Sequence, residues 1–418
     1  MRVIFISFFL LFSFVVFSQS DNTNSPYTRY GYGVLADQTF ASQRGMGGIG
    51  YGLRNSQMIN PLNPASFSAV DSMTFMLDFG LKGQAALMND GVFGKSQRYN
   101  AGFEYLAIQI PLTKRLGMGI GIEPVSFVGY QYGYQSDDTL KAFNGSGGLS
   151  KVYSTLSYNL FDRLSLGVNV GYMFGHIVHN GTVSFSTPNT YVTVYPDSLI
   201  LSGLTYEAGL QYIHKLNKNS ELVFGAVYSP KITMNARAKK NAAVYDPGTG
   251  QTMNDSVYYN TRDSVFQMPE TYGAGITYRK KDKLTLGTDF QYQKWAAAKF
   301  FDQTGNLVNR MKINAGGEYI PNVRGNNLFS RVRYRAGGYF ANSYIVANTY
   351  DGGSSKYNEY GLSVGLGIPM LDRRSFVNVA FEYSRLVPEK PISMSEQYFK
   401  LTLSYTFNEL WFFKRKLQ

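Results

Sequence analysis

The chain has 418 residues and no cysteine, with 33 Tyr, 30 Phe, 43 Gly, only 16% charged residues and a formal net charge of +12. The missing cysteines exclude disulfides, thiol catalysis and Cys-ligated zinc or iron–sulfur centres. The basic residues are scattered rather than gathered into an arm, so an anionic membrane surface or lumenal ligand accounts for them and nucleic acid is not an expected partner.

The first element is an export signal. Arg2 supplies a positive start, an apolar run follows from Val3 to Phe17, and Val16-Phe17-Ser18 closes it with a compact end, so residues 1–18 read as a signal peptide cut after Ser18. The alternative, a retained anchor helix, needs about 20 apolar residues to span a bilayer, and the run is shorter than that. Lipidation would require a cysteine. Beyond Phe17 no apolar stretch is long enough for a transmembrane helix.

Residues 19–71 do not alternate. They carry Tyr30-Gly31-Tyr32-Gly33, then Gly45-Met46-Gly47-Gly48-Ile49-Gly50, then Asn60-Pro61-Leu62-Asn63-Pro64-Ala65. Gly45, Gly47 and Gly50 fit G-x-G-x-x-G, but a dinucleotide site needs a strand before and a helix after that loop. No strand pattern precedes it, and an exported protein meets no nucleotide pool. Glycines here let a compact backbone thread a crowded interior.

From residue 72 onward the sequence alternates with period 2. Leu164, Leu166, Val168, Val170, Tyr172 and Phe174 stand between Ser165, Gly167, Asn169, Gly171, Met173 and Gly175, and Phe399, Leu401, Leu403, Tyr405 and Phe407 repeat the pattern near the end. Strands are expected at 72–88, 98–113, 115–134, 145–159, 163–187, 197–215 and 220–240. A second set is expected at 262–279, 283–299, 307–320, 331–342, 356–368, 375–386 and 396–407. After even strands the links are tight turns, with 321–329 longer; after odd strands they are mostly long, including 135–144 and 241–261. An even strand number with short turns on one side and long loops on the other is the arrangement of outer-membrane barrels. Lipid enforces closure, because each unpaired backbone group there costs several kcal/mol. The expectation is an all-β protein: a closed antiparallel transmembrane barrel of about fourteen strands over 72–408, with both termini periplasmic. Outer-membrane lipid is the implied surround. Residues 409–418 form an aromatic and basic tail, read as an interfacial anchor or a docking segment for a partner.

Catalysis and metal binding find no support. The histidines are His176, His179 and His214; the first two are three apart, which on a strand sets them on opposite faces, and no Ser–His–Asp pattern surrounds any of them. No cofactor is implied. The lumen carries the chemistry instead. Arg331, Arg333 and Arg335 share one face opposite Val332, Tyr334 and Ala336. A lipid-facing Arg costs about 2–4 kcal/mol at the midplane, so the row is expected to face inward. Carboxylates such as Asp289 or Glu382 would neutralise it, or else the carboxylate of a ligand would.

Several motifs, taken in order, resemble the FadL family of outer-membrane hydrophobe transporters. They are Met46-Gly47-Gly48, then Asn63-Pro64-Ala65, then Leu160-Phe161-Asp162-Arg163-Leu164-Ser165-Leu166-Gly167, then Tyr228-Ser229-Pro230-Lys231, then Met268-Pro269-Glu270 leading to Trp295. The final strand also resembles the assembly signal of outer-membrane proteins. The resemblance implies fourteen strands with residues 19–71 folded inside as a hatch that contains Asn63, Pro64 and Ala65. It implies passive uptake of a hydrophobic or amphipathic molecule, such as a long-chain fatty acid. Ser25-Pro26-Tyr27-Thr28-Arg29-Tyr30-Gly31 and the ending from Phe407 to Lys414 resemble a Bacteroidota branch. Relatives in that branch also serve as non-transporting subunits of outer-membrane secretion or assembly complexes, which is the alternative function.

Overall fold

The structure is a computed structural model that describes residues 25–89, 94–187, 190–261, 265–304, 307–348, 353–390 and 394–411. The expected signal peptide, residues 19–24 of the expected hatch and residues 412–418 of the tail lie outside the described residues.

Alternation dictates a sheet with two unlike faces, and the sheet closes on itself. Its staves are β1 (Thr74–Asn89), β2 (Lys95–Pro111), β3 (Leu116–Ser136), β4 (Thr139–Leu160), β5 (Leu164–Phe185) and β6 (Val192–Lys215). Next come β7 (Ser220–Ser229, resuming over Ile232–Tyr245) and β8 (Thr252–Thr261, Phe266–Met268 and Thr271–Lys280). The circuit ends with β9 (Leu284–Gln293), β10 (Arg310–Tyr319), β11 (Arg333–Asn342), β12 (Tyr357–Pro369), β13 (Phe376–Pro388) and β14 (Ser395–Leu410). Each pairs antiparallel with its neighbour, and β14 pairs with β1 from Thr74↔Leu410 to Asn89↔Ser395. That last ladder makes a closed fourteen-stranded barrel.

The two faces sort as lipid and lumen require. On β5, Leu166, Val168, Val170 and Tyr172 are exposed on the outside, whereas Ser165 and Asn169 are buried inside. The segments Ser220–Ser229 and Thr271–Lys280 and the strands β9, β10 and β11 are each 10 residues long, which matches the 9–11 residues a tilted strand needs to cross the hydrocarbon. By contrast, β3 to β6 have 21, 22, 22 and 24 residues. These strands, together with β7 and β8 through their continuations Ile232–Tyr245 and Thr252–Thr261, are longer than a crossing requires and rise past the membrane on one side of the barrel. The links expected at 135–144 and 241–261 are therefore strand extensions closed by short turns: Ser136 pairs with Thr139 and Tyr245 with Thr252. Their polar residues suggested loops because a strand outside lipid needs no apolar face.

We call the end where β1 starts and β14 finishes the near end, and the opposite one the far end. Tight turns crowd the near end, and Phe161, Asp162, Asp282 and Arg373 take positive φ of 50–59° there, the backbone twist that short hairpin connections demand. Leu410 is still strand, and Trp411 packs on Phe75 with ring centroids 4.5 Å apart.

Residues 25–71 fill the barrel as a plug. They form three short helical turns, Pro26–Arg29, Ala41–Arg44 and Pro64–Ala69, and one strand fragment, Val34–Leu35, which pairs with Phe127 and Ser126 of β3. Toward the far end Tyr27 and Tyr32 join Trp295, Tyr344 and Leu307 in the largest buried apolar cluster. Lower down, Phe40 stacks on Tyr105 at 3.8 Å, beside Phe67 and Met76.

Candidate functional site

The lumen is where chain-specific chemistry concentrates. A buried polar group costs free energy unless it is paired, and the plug meets this demand by bonding to the wall around most of the circuit. Ser25 Oγ donates to Glu396 Oε1 at 2.7 Å. Asp37 pairs with Lys312, and Arg44 with Glu104. The N–H of Gly47 donates to Ser363 Oγ at 2.9 Å. Asp289 Oδ2 accepts from the N–H groups of Gly50 (2.5 Å) and Tyr51 (2.8 Å).

Asn63, Pro64 and Ala65 are pressed against β5 and β6. Asn63 caps the turn that follows by accepting from the Ala65 N–H at 3.0 Å, and its Nδ2 donates to Tyr51 O at 2.8 Å and to Leu210 O at 3.1 Å. Ser157 Oγ donates to Ala65 O at 2.8 Å. The wall is glycine here for a steric reason. A Cβ at Gly209 would lie 2.2 Å from Asn63 Oδ1, and one at Gly167 would lie 2.3 Å from Pro64 C.

The arginine row divides. Arg331 is not on the strand: it ends a short near-end helix, Leu328–Arg331, and β11 begins two residues later. Asn327 caps that helix by accepting from the Phe329 N–H at 3.2 Å, so the cap diverts the chain before the strand can start. Arg333 and Arg335 are buried inside the barrel. Their counter-ion is Glu318 of β10, 2.8 Å from Arg335 Nε and 3.6 Å from Arg333 Nη1, and Arg333 also donates to Gln57 of the plug. Neither Asp289 nor Glu382 reaches them. Asp289 is engaged by plug backbone, and Glu382 accepts from Lys400 at 2.6 Å and from Tyr339 at 3.2 Å.

Glu318, Lys312, Asp37, Arg44 and Glu104 were not singled out from sequence. A signal did exist for two of them, since Lys312, Asn314 and Glu318 share one parity on β10, and Glu318 sits in register with Arg335. Asp37, the one titratable plug acid in this set, shows the field inside. Burial alone would raise its carboxyl, but Lys312, Lys400 and Arg44 outweigh that and hold it far below the usual carboxylate range.

A cavity of about 150 Å³ remains between plug and wall, lined by the apolar side chains of Leu35, Met173, Ile232 and Trp295 and by the charged ones of Asp37, Glu207, Asp289 and Lys312. It reaches a break in the wall. β6 pairs with β7 over Ala208–Lys215 and again over Val192–Ser202, leaving residues 203–207 out of both ladders, beside Ser229 and Pro230. A second break lies between β2 and β3, whose pairing begins at Pro111↔Gly117 and ends at Leu106↔Ile122. Above it, β3 bulges between Pro124 and Ser126 and takes the plug fragment Val34–Leu35 as a partner.

No curated protein matches the sequence. Among solved structures the chain is similar to the Pseudomonas putida toluene transporter TodX (15% identity, TM-score 0.62, covering 92% of this chain and 99% of that one). It is also similar to the Ralstonia pickettii toluene transporter TbuX (15%, 0.59, 88% and 98%) and to a Pseudomonas aeruginosa FadL homologue (15%, 0.59, 89% and 99%). At such identities the likeness is one of fold: a barrel of the outer-membrane type with fourteen strands. The sequence itself decides the family, since the model described as BamG matches residues 1–418, and the chain belongs to the BamG family.

Proposed function

We propose that the protein is an outer-membrane barrel for passive uptake of small hydrophobic or amphipathic molecules, with the near end and both termini in the periplasm. One observation carries this reading: the cavity between plug and wall meets the interrupted pairing at residues 203–207. A ligand could pass from plug to wall there without crossing a continuous ladder. Size narrows the ligand. This cavity, roughly 150 Å³, accommodates a benzene-sized molecule and is too small for a long fatty-acyl chain. Similarity of fold to toluene transporters supports the same size class. Equilibrium binding of benzoate and palmitate to the detergent-solubilised protein tests it. The single-ring ligand should bind and Thr205→Trp, which fills the cavity wall, should abolish binding; palmitate binding unaffected by Thr205→Trp would refute it.

A second reading, a non-transporting subunit of an outer-membrane complex, is favoured by two different observations. The family name, BamG, hints at such a complex, and the one-sided rise of β3 to β8 beyond the membrane offers a wall to a partner. Co-purification of a stoichiometric outer-membrane protein, lost when the β3–β4 extension beyond Gly129 and Ser146 is shortened, would favour this reading.

A further inference from the structure

The outside of the barrel carries a feature that neither reading uses. Lipid-facing positions are mostly large: Leu166, Val168, Tyr172, Leu286 and Phe290 are all exposed there. Between β10 and β12 the pattern fails. Ala315 and Gly338, paired in register, leave the outer face low, and Gly338 lies opposite Leu362. The result is an outward groove of about 700 Å³. Phe340, Tyr360, Leu362 and Tyr383 form its rim, and Arg385 is part of its lining.

Position along the strands gives the groove a polarity. Ala315 and Gly338 are mid-strand, hence at hydrocarbon depth, whereas Tyr360 and Arg385 pair near the far ends of β12 and β13. Arg385 is exposed and makes no hydrogen bond or ion pair among the described residues. An outward arginine is costly at the bilayer centre and tolerated near the interface, where lipid phosphates are found and basic side chains attract them.

We propose that this groove binds one acyl chain of a phosphate-bearing lipid, with Arg385 on the phosphate and the chain lying over Ala315 and Gly338 between the aromatic rims. The chemistry fits both ends of that molecule: an apolar trough at chain depth and a guanidinium at headgroup depth. The site is independent of whether the lumen conducts.

Native mass spectrometry of the full chain in mild detergent, titrated with bisphosphorylated lipid A or its dephosphorylated form, tests the proposal. The wild type should retain one phosphorylated lipid in preference to the dephosphorylated one. Arg385→Gln should erase most of that preference, roughly fivefold to tenfold, and Arg385→Lys should keep part of it. Ala315→Leu, which raises the floor of the groove, should weaken both forms. Heat-modifiable gel mobility equal to wild type will show that each variant is folded. Equal retention by all four folded proteins would overturn the proposal. So would a photoreactive group at Leu362 that cross-links to a protein rather than to lipid in native membranes.

Discussion

Glu318 is the residue on which the buried charges of β11 depend. Two guanidinium groups share it, and both are almost fully buried. Removing one partner of a buried pair leaves an uncompensated charge, which costs about 3–5 kcal/mol. Glu318→Gln should therefore lower stability by about that amount in urea unfolding from detergent, and adding Arg335→Leu should restore part of it; a loss below about 1 kcal/mol would place the compensating charge elsewhere. Asp37 gives a pH test. Its carboxyl is depressed in the fold by Lys312, Lys400 and Arg44 against the opposing effect of burial. A depressed acid contributes stability that is complete above its unfolded pKa of about 3.9 and is lost as pH falls through the folded value. The melting difference between wild type and Asp37→Asn should stay constant from pH 8 to 5 and shrink only below about pH 4; a difference that disappears between pH 7 and 5 would contradict the pairing with Lys312. Sequence showed that arginines at 333 and 335 would face inward, since parity and the cost of charge in lipid decide that. It did not show which acid meets them, because the choice among Asp289, Glu318 and Glu382 depends on register between strands, and Arg331 was lost to a helix cap that alternation cannot register.

At the level of the elements, β5 offers the sharpest contrast. Val168 faces lipid and Asn169 faces the lumen. Val168→Arg should cost about 2–4 kcal/mol at midplane and slow folding into vesicles, with Asn169→Arg costing less because it points into the lumenal cavity beside the carboxylate of Glu207, its register partner; equal costs would mean the register is shifted by one residue. All fourteen staves were legible from alternation, and the turns from their Asp, Asn and Lys residues. What alternation misjudged was where strands end: the strand expected at 283–299 stops at Gln293, before the helical turn Trp295–Ala297, while others run on past their expected bounds. Gln131, Tyr132 and Asn144 lie on ladders that leave the bilayer, where both faces meet water or neighbouring rings and the apolar–polar contrast fades. Residues 25–71 follow no period because they obey the inner surface of the wall, as Gly167 and Gly209 show by receding under Pro64 and Asn63.

The whole molecule is a barrel closed by its own N-terminal segment. Ion pairs at Asp37 and Arg44, backbone bonds at Gly50 and Tyr51, and the aromatic cluster around Tyr32 and Trp295 hold that segment in place. Wall and plug are separable in principle, since every stave from β1 to β14 has its barrel partners without residues 25–71. The most direct measurement is planar-bilayer conductance of the intact protein beside a variant that lacks residues 25–71. The intact barrel should insert without a steady open pore, and the deletion variant should insert and conduct ions through the emptied lumen. An inserted deletion variant as closed as the intact protein would contradict the placement of this segment as the seal.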